Sequence, residues 1–413
     1  MAESIPSPSA ASAVTRGSFL AAIFLMATSA IGPGFITQTA TFTAKLGSAF
    51  AFAILASILI DFVVQLNIWR ITALTRRNAS DTANAAIPGA GYFLAVLILV
   101  GGLAFNVGNI AGAGLGLNAM FGLDPKIGGA ASALLAIGIF LSRRAGLLLD
   151  RAIIGLGILM IAMTLVVAFT TNPPVGEALR QTFMPDVIDF ATITTIVGGT
   201  VGGYICYAGA HRLLDKGTVG AEHIDEVSRA ATKGIVVVGI MRYVLFLAIL
   251  GVVMSGAAID LSGHNANPAA QAFQYAAGEF GFKLFGLIFW AAGISSSIGA
   301  AYTSVSFFSA FKPDINLKQR NICTIVFIAL ALLLFVLIGA TPASLLVFVG
   351  GLNGLVLPIG LTLFVYVAAC RQDLMGNYAY PKWLTILGIL TCLLTWYMGY
   401  VSFNTIFHYL KTL

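Results

Sequence analysis

The stretch "SAIGPGFITQT", Ser29 to Thr39, decides the fold. It sits in an apolar segment running from about Ser18 to Leu46, long enough to cross a bilayer, which takes about 20 apolar residues. Gly32, Pro33 and Gly34 interrupt that segment near its middle, at a depth where backbone groups that lose their helical partners find no water to replace them. A helix broken there serves either close packing against a neighbour or a binding site at the bilayer midplane.

The rest of the chain makes the membrane setting plain. Its 413 residues are 59% hydrophobic and 9% charged, with a mean hydropathy of +0.95, far from the makeup of a soluble domain. About eleven spans are predicted, near 18–45, 47–70, 92–121, 127–142, 147–170, 190–213, 234–257, 282–310, 321–340, 343–369 and 383–409. Cys206, Cys323, Cys370 and Cys392 all fall within or against these spans and read as small buried hydrophobes, without disulfides or metal. Residues 1–16 form a polar Ser- and Pro-rich tail, expected to be disordered and cytoplasmic, and 17–413 a single transmembrane domain. The net charge of +6 is spread over loops and is no nucleic-acid signal. With the N-terminus inside, roughly sixteen Lys and Arg residues share its side, against about five opposite; this predicts a cytoplasmic-membrane protein with a cytoplasmic N-terminus and an outside C-terminus.

A second glycine-clustered interruption, "IVGGTVGGYICYAGAH", Ile196 to His211, lies in the sixth span. If spans one to five (about 17–170) and six to ten (about 190–370) are inverted repeats, with an extra helix near 383–409, both breaks fall in the leading helix of a repeat. Paired breaks of this kind point to a midplane substrate site in secondary transporters. The charged loop Arg212 to Lys233 fits a short amphipathic surface helix.

Several longer segments resemble the NRAMP family of metal transporters: "DFVVQLNIWRI", "GNIAGAGLGLNAMFGL", "AAGISSSIGAAYTSVSFF" and "LNGLVLPIGLTLF". The resemblance covers nearly the whole chain. It implies an all-α membrane protein of the LeuT type, a 5+5 inverted repeat with broken helices 1 and 6. The family's first helix carries Asp-Pro-Gly-Asn, and here the register reads Gly32-Pro33-Gly34-Phe35. The break is kept while both metal ligands are gone. The family's Met-Pro-His in the sixth helix falls on Gly202-Gly203-Tyr204, and its acidic pair in the third on Asn106 and Asn109. Losing carboxylate, thioether and imidazole removes the groups that offset the dehydration of a transition metal, and neutral amides cannot relay protons.

A broken helix still offers backbone amides with the positive end of a dipole, which favour a carboxylate. The substrate site is therefore predicted from Gly32, Gly34, Phe35, Gln38, Asn106, Asn109, Gly203, Tyr204 and Tyr207. In the eighth helix Ala300, Thr303 and Ser304 look like the A-x-x-[ST]-[ST] pattern of sodium-coupled LeuT-type transporters, with partner carbonyls from around Ala30. Ser and Thr also serve as plain interhelical partners. Asp61 and Arg242 are charges within the second and seventh spans, at equivalent places in the two repeats, and are predicted to pair or to gate.

The expectation is a secondary active transporter, a symporter of a small polar solute with a carboxylate, working by alternating access with Na+ or H+ as coupling ion. The alternative is a divalent-cation transporter, H+-coupled, for which Mg2+ fits better than Mn2+ or Fe2+. An enzyme is not expected: no HExxH, Ser/His/Asp or clustered His/Asp/Glu set occurs. A channel or a non-transporting receptor on the same fold are the other classes. The expected partners are the solute or ion and the lipid bilayer, without nucleic acid, cofactor or obligate protein partner.

Overall fold

A computed structural model describes residues 32–411 apart from 262, 264–265, 313, 339–340 and 377. The described residues are helical with connecting turns and contain no strand. The first half runs α1 (Pro33–Leu46), α2 (Phe50–Thr75), α3 (Ala79–Ala86), α4 (Ala90–Phe121), α5 (Pro125–Leu141), α6 (Arg143–Thr170) and α7 (Val175–Phe183). The second runs α8 (Phe190–Gly198), α9 (Ile205–Asp215), α10 (Ile224–Met254), α11 (Pro268–Val305), α12 (Leu317–Leu337), α13 (Pro342–Cys370) and α14 (Lys382–Lys411).

The expected tail, residues 1–16, and the opening span before residue 32 lie outside the described residues; the rest of that span and the other expected spans fall on helix, the sixth as two pieces, α8 and α9. Seven described helical segments are long and apolar enough to cross a membrane, or eight if α6 and α7, bent by 106°, make one span. The segment Pro33–Thr75 takes in the first two expected spans, and the fourth and sixth fall on shorter helices, α5 of 17 residues and α8 and α9 of 9 and 11. The chain is a multi-pass membrane protein.

Helix ends follow local chemistry. Asp124 caps α5, accepting from Lys126 N at 2.8 Å, with Pro125 in the first turn, where its missing N–H is no loss. Asn316 and Gln319 form a reciprocal capping box at the start of α12, satisfying two otherwise orphan donors. The charged loop after α9 differs from its expected form. No separate amphipathic helix occurs: Asp225 and Glu226 lie in the first turn of α10 itself, where negative charge meets the positive end of the helix dipole. Cys370 also departs from the expected burial, being exposed at the end of α13.

The helices sort into two groups. One consists of α4, α5, α11 and α12, and its α4–α11 contact is the most extensive in the molecule. The other joins α2 and α10 with α1, α8 and α9, while α13 packs against α4, α8 and α14. Close approach of α4 to α11 depends on Gly116, where a Cβ would stand 2.6 Å from Trp290 N and 2.7 Å from Gly286 O. Those neighbours are backbone, which cannot swing aside.

At one end of the bundle the basic loops meet. Arg76 contacts Glu222 at 3.2 Å, Arg70 donates to Ser228 Oγ at 2.7 Å, and Arg371 donates to the Ala85 and Ala86 carbonyls, each at 3.0 Å. The exposed Arg76–Glu222 pair adds little stability by itself, yet these contacts bring segments predicted for one membrane face to one place.

The α4–α11 contact yields a stability test. Gly116→Val should destabilise by about 1–3 kcal/mol or prevent folding, seen as a lower melting temperature in detergent. Gly138→Ala, on α5 where no atom lies within 4 Å of the added methyl, should melt as the parent does.

Candidate substrate site

The start of α1 and the break in the sixth span open onto one interior space; the part of the opening span before residue 32 lies outside the described residues. Gly32 has extended backbone, with φ −87° and ψ 176°, and Pro33 opens α1. The amides of Gly34 and Phe35 belong to the first turn and have no partner within the helix. In the sixth span α8 ends at Gly198, residues 199–204 form turns, and α9 begins at Ile205. The Val197 carbonyl accepts from the amides of Thr200, Val201 and Gly202 at 2.9–3.1 Å. Gly203 closes the turn with φ +46°, a left-handed conformation that glycine adopts without steric cost.

Between these starts lies a cavity of about 570 Å³, walled by α1, α2, α4, α9, α10 and α11, with Ile139 and Phe140 of α5 and Leu149 of α6. Of the predicted residues, Gly32, Gly34, Phe35, Asn109, Tyr204, Ala300 and Thr303 line it, with both in-membrane charges, Asp61 and Arg242. Tyr204 leans on Phe105 with ring centroids 5.5 Å apart. Trp69, also on the wall, donates from Nε1 to the Cys206 carbonyl at 3.1 Å, fastening α9 to α2.

Five predicted residues lie behind the wall. Gln38 is fully buried, donating to the Leu346 carbonyl at 3.1 Å and packing against Gly199 and Gly350. It joins α1 to α13 and to the second break. Tyr207 turns to α13, against Phe364 and Gly360. Gly203 faces Asn353 on α13, which itself donates to the Gly101 carbonyl at 3.3 Å. Asn106 is buried with neither side-chain polar atom partnered. Ser304 packs against Gly102 on α4, and the Thr303 hydroxyl donates to Gly299 of its own helix. One hydroxyl of the predicted sodium constellation thus faces the cavity and the other faces α4. Ala30 lies outside the described residues.

The charges have specific surroundings. Asp61, 4% exposed, accepts from the Thr200 hydroxyl at 2.8 Å through Oδ2, and its Oδ1 has no partner. Arg242, 1% exposed, donates from Nη1 to the Ile196 carbonyl at 3.3 Å. Its Cζ stands 4.2 Å from the centroid of the Phe35 ring, a cation–π contact that gains strength away from water. Nε and Nη2 have no partner. The predicted direct pairing of these charges is replaced by a shared attachment to the sixth-span break, Arg242 at Ile196 and Asp61 at Thr200. Thr200 was readable only as one polar residue within "IVGGTVGGYICY"; nothing in the sequence marks it as the partner of Asp61.

Two helix starts face this cavity, and on its wall stand one carboxylate, Asp61, and one guanidinium, Arg242, whose unpartnered Nε and Nη2 are buried. Among the described residues no three His, Cys, Asp or Glu side chains are placed to share a metal ion.

A family model, natural resistance-associated macrophage protein-like, matches residues 23–405. The chain belongs to the Nramp family. Two relatives align over almost their full length. One is the uncharacterized membrane protein YcsG of Bacillus subtilis, 51% identical over 386 residues, 94% of each chain. Another is an uncharacterized membrane protein of Haemophilus influenzae, 50% identical over 397 residues, 96% of this chain and 98% of the other. Among solved structures, the Eremococcus coleocola manganese transporter superposes with a TM-score of 0.71 at 16% identity, covering 98% of this chain and 90% of its own. MhsT in complex with L-phenylalanine gives 0.63 at 17%, covering 94% and 98%. At such identities the structures speak for the fold alone. This Nramp protein shares the LeuT-type fold.

The charges can be tested as a coupled unit. Arg242→Gln should cost on the order of 3 kcal/mol by leaving Asp61 uncompensated. The double variant Asp61→Asn/Arg242→Gln should recover part of that loss in a thermal melt; strictly additive losses would show that the two charges do not support each other.

Proposed function

We propose that this Nramp-family transporter carries a small polar organic solute bearing a carboxylate, by alternating access, as a cation-coupled symporter of the cytoplasmic membrane with its N-terminus inside. The observation that carries this reading is Arg242: a buried guanidinium on the cavity wall whose Nε and Nη2 have no protein partner. A guanidinium repels a divalent cation and matches the two oxygens of a carboxylate in a bidentate bond. The amide-rich start of α1, where Gly34 and Phe35 line the same space, favours the same sign of charge.

The walls suit the remainder of such a solute. Phe35, Phe105 and Tyr204 supply aromatic faces, and Asn109 and Ser296 supply polar groups, the combination typical of small-molecule sites. A cavity of about 570 Å³ accommodates an organic molecule with room for water. On this reading α1 and α9 meet the solute between the helix groups, and rocking of one group against the other opens the site to alternate sides.

A thermal-shift screen of the purified protein tests the reading. Small carboxylates should raise the melting temperature, and Arg242→Lys, which loses the planar fork, should weaken the response at least tenfold in concentration, about 1.4 kcal/mol. Stabilisation by micromolar Mn2+ or Fe2+ in place of carboxylates would overturn the substrate class. Equal carboxylate responses in Na+ and in K+ would remove Na+ as the coupling ion.

A further inference from the structure

Asp61 and Arg242 carry opposite charges on the wall of one cavity. Their charges act on each other, yet each takes its hydrogen bond from the sixth-span break: Thr200 for Asp61 and the Ile196 carbonyl for Arg242. Both also keep unused capacity, Oδ1 on the acid and Nε with Nη2 on the base.

With Asp61 ionised and no solute bound, the charges of this pair sum to zero. A monocarboxylate arriving at Arg242 leaves the buried site with one uncompensated negative charge, an arrangement that low-dielectric surroundings penalise heavily. One proton on Asp61 restores neutrality. The vacant Oδ1 can receive that proton while Oδ2 keeps its bond from Thr200. Once neutral, Asp61 no longer competes for the guanidinium, whose unpartnered Nε and Nη2, buried in the unliganded structure, then turn to both solute oxygens.

Resting on the carboxylate reading above, we propose that Asp61 is the coupling-ion site: it takes up one proton from solution for each monocarboxylate bound at Arg242, so that solute and proton cross together. The two events favour each other reciprocally, as linkage requires. Both act on the same interrupted helix, at Ile196 and Thr200, so occupancy is registered where the sixth span bends.

The surroundings leave this exchange to the pair. Among the described residues, Arg242 on α10 and the Cys206 thiol on α9 face Asp61, while Tyr204 and the exposed Arg212 line the same cavity. The α8 and α13 helices, which pack on α2, carry no acidic or basic side chain. Glu177 and Arg180 of α7, also packed on α2, pair with each other at 2.7 Å, and the charged residues of α14 sit at its ends.

Calorimetry of the full-length protein near neutral pH, titrating glycolate, L-lactate, pyruvate and benzoate in two buffers of different ionisation enthalpy, counts protons per binding event. Wild type should take up about one proton per anion bound. Asp61→Asn should bind without proton uptake, and Asp61→Glu, which keeps the acid, should retain it. Anion binding by wild type with no proton uptake, or uptake unchanged in Asp61→Asn, would overturn the proton assignment and leave the carboxylate reading standing. Failure of all four anions to bind would remove the carboxylate reading and this inference with it.

Discussion

A guanidinium buried in the middle of a membrane protein is the constraint on which the rest of this structure depends. Arg242 is 1% exposed, and an unpaired charge there would be untenable. Three groups make it tolerable: the Phe35 ring against the guanidinium, the Ile196 carbonyl near the end of α8, and Asp61 on the wall of the same cavity. Phe35 belongs to the first interrupted span and Ile196 to the second. Housing one charge therefore ties the start of α1 to the break in the sixth span.

The breaks themselves are held by neutral contacts behind the cavity wall. Gln38 packs against Gly199 and Gly350, bringing α1, the second break and α13 to one point. Trp69 fixes α9 to α2 through the Cys206 carbonyl. Chain segments without helical hydrogen bonds are thus surrounded by side chains from three or four helices, the condition under which irregular backbone survives at membrane depth. Binding groups at such a place are positioned by the bundle, and a change at the cavity is felt by every helix that meets there.

Much of this was legible in the sequence because membranes restrict the choices available to a chain. Long apolar runs had to be helices, and the clustered Gly of the sixth had to be a break. Asp61 and Arg242 stood out because ionisable residues are costly inside spans. The direction in which a side chain leaves its helix was not legible. Tyr204 and Tyr207 are three residues apart and look alike in sequence, yet one lines the cavity and the other packs on α13. Thr303 and Ser304 are neighbours on α11 and necessarily point about 100° apart; which of them faced the cavity depended on α4. The partner of Asp61 was hidden for the same reason, since Thr200 sits in a turn whose path the glycine run leaves open.

The proposed substrate reading comes down to one claim: the site holds an organic anion at Arg242. Flux through proteoliposomes tests it most directly. Labelled monocarboxylate should exchange across membranes containing wild-type protein and not across those containing Arg242→Gln, while Mn2+ accumulation should stay at the level of empty liposomes. Saturable Mn2+ uptake by wild type, with no carboxylate exchange, would contradict the account.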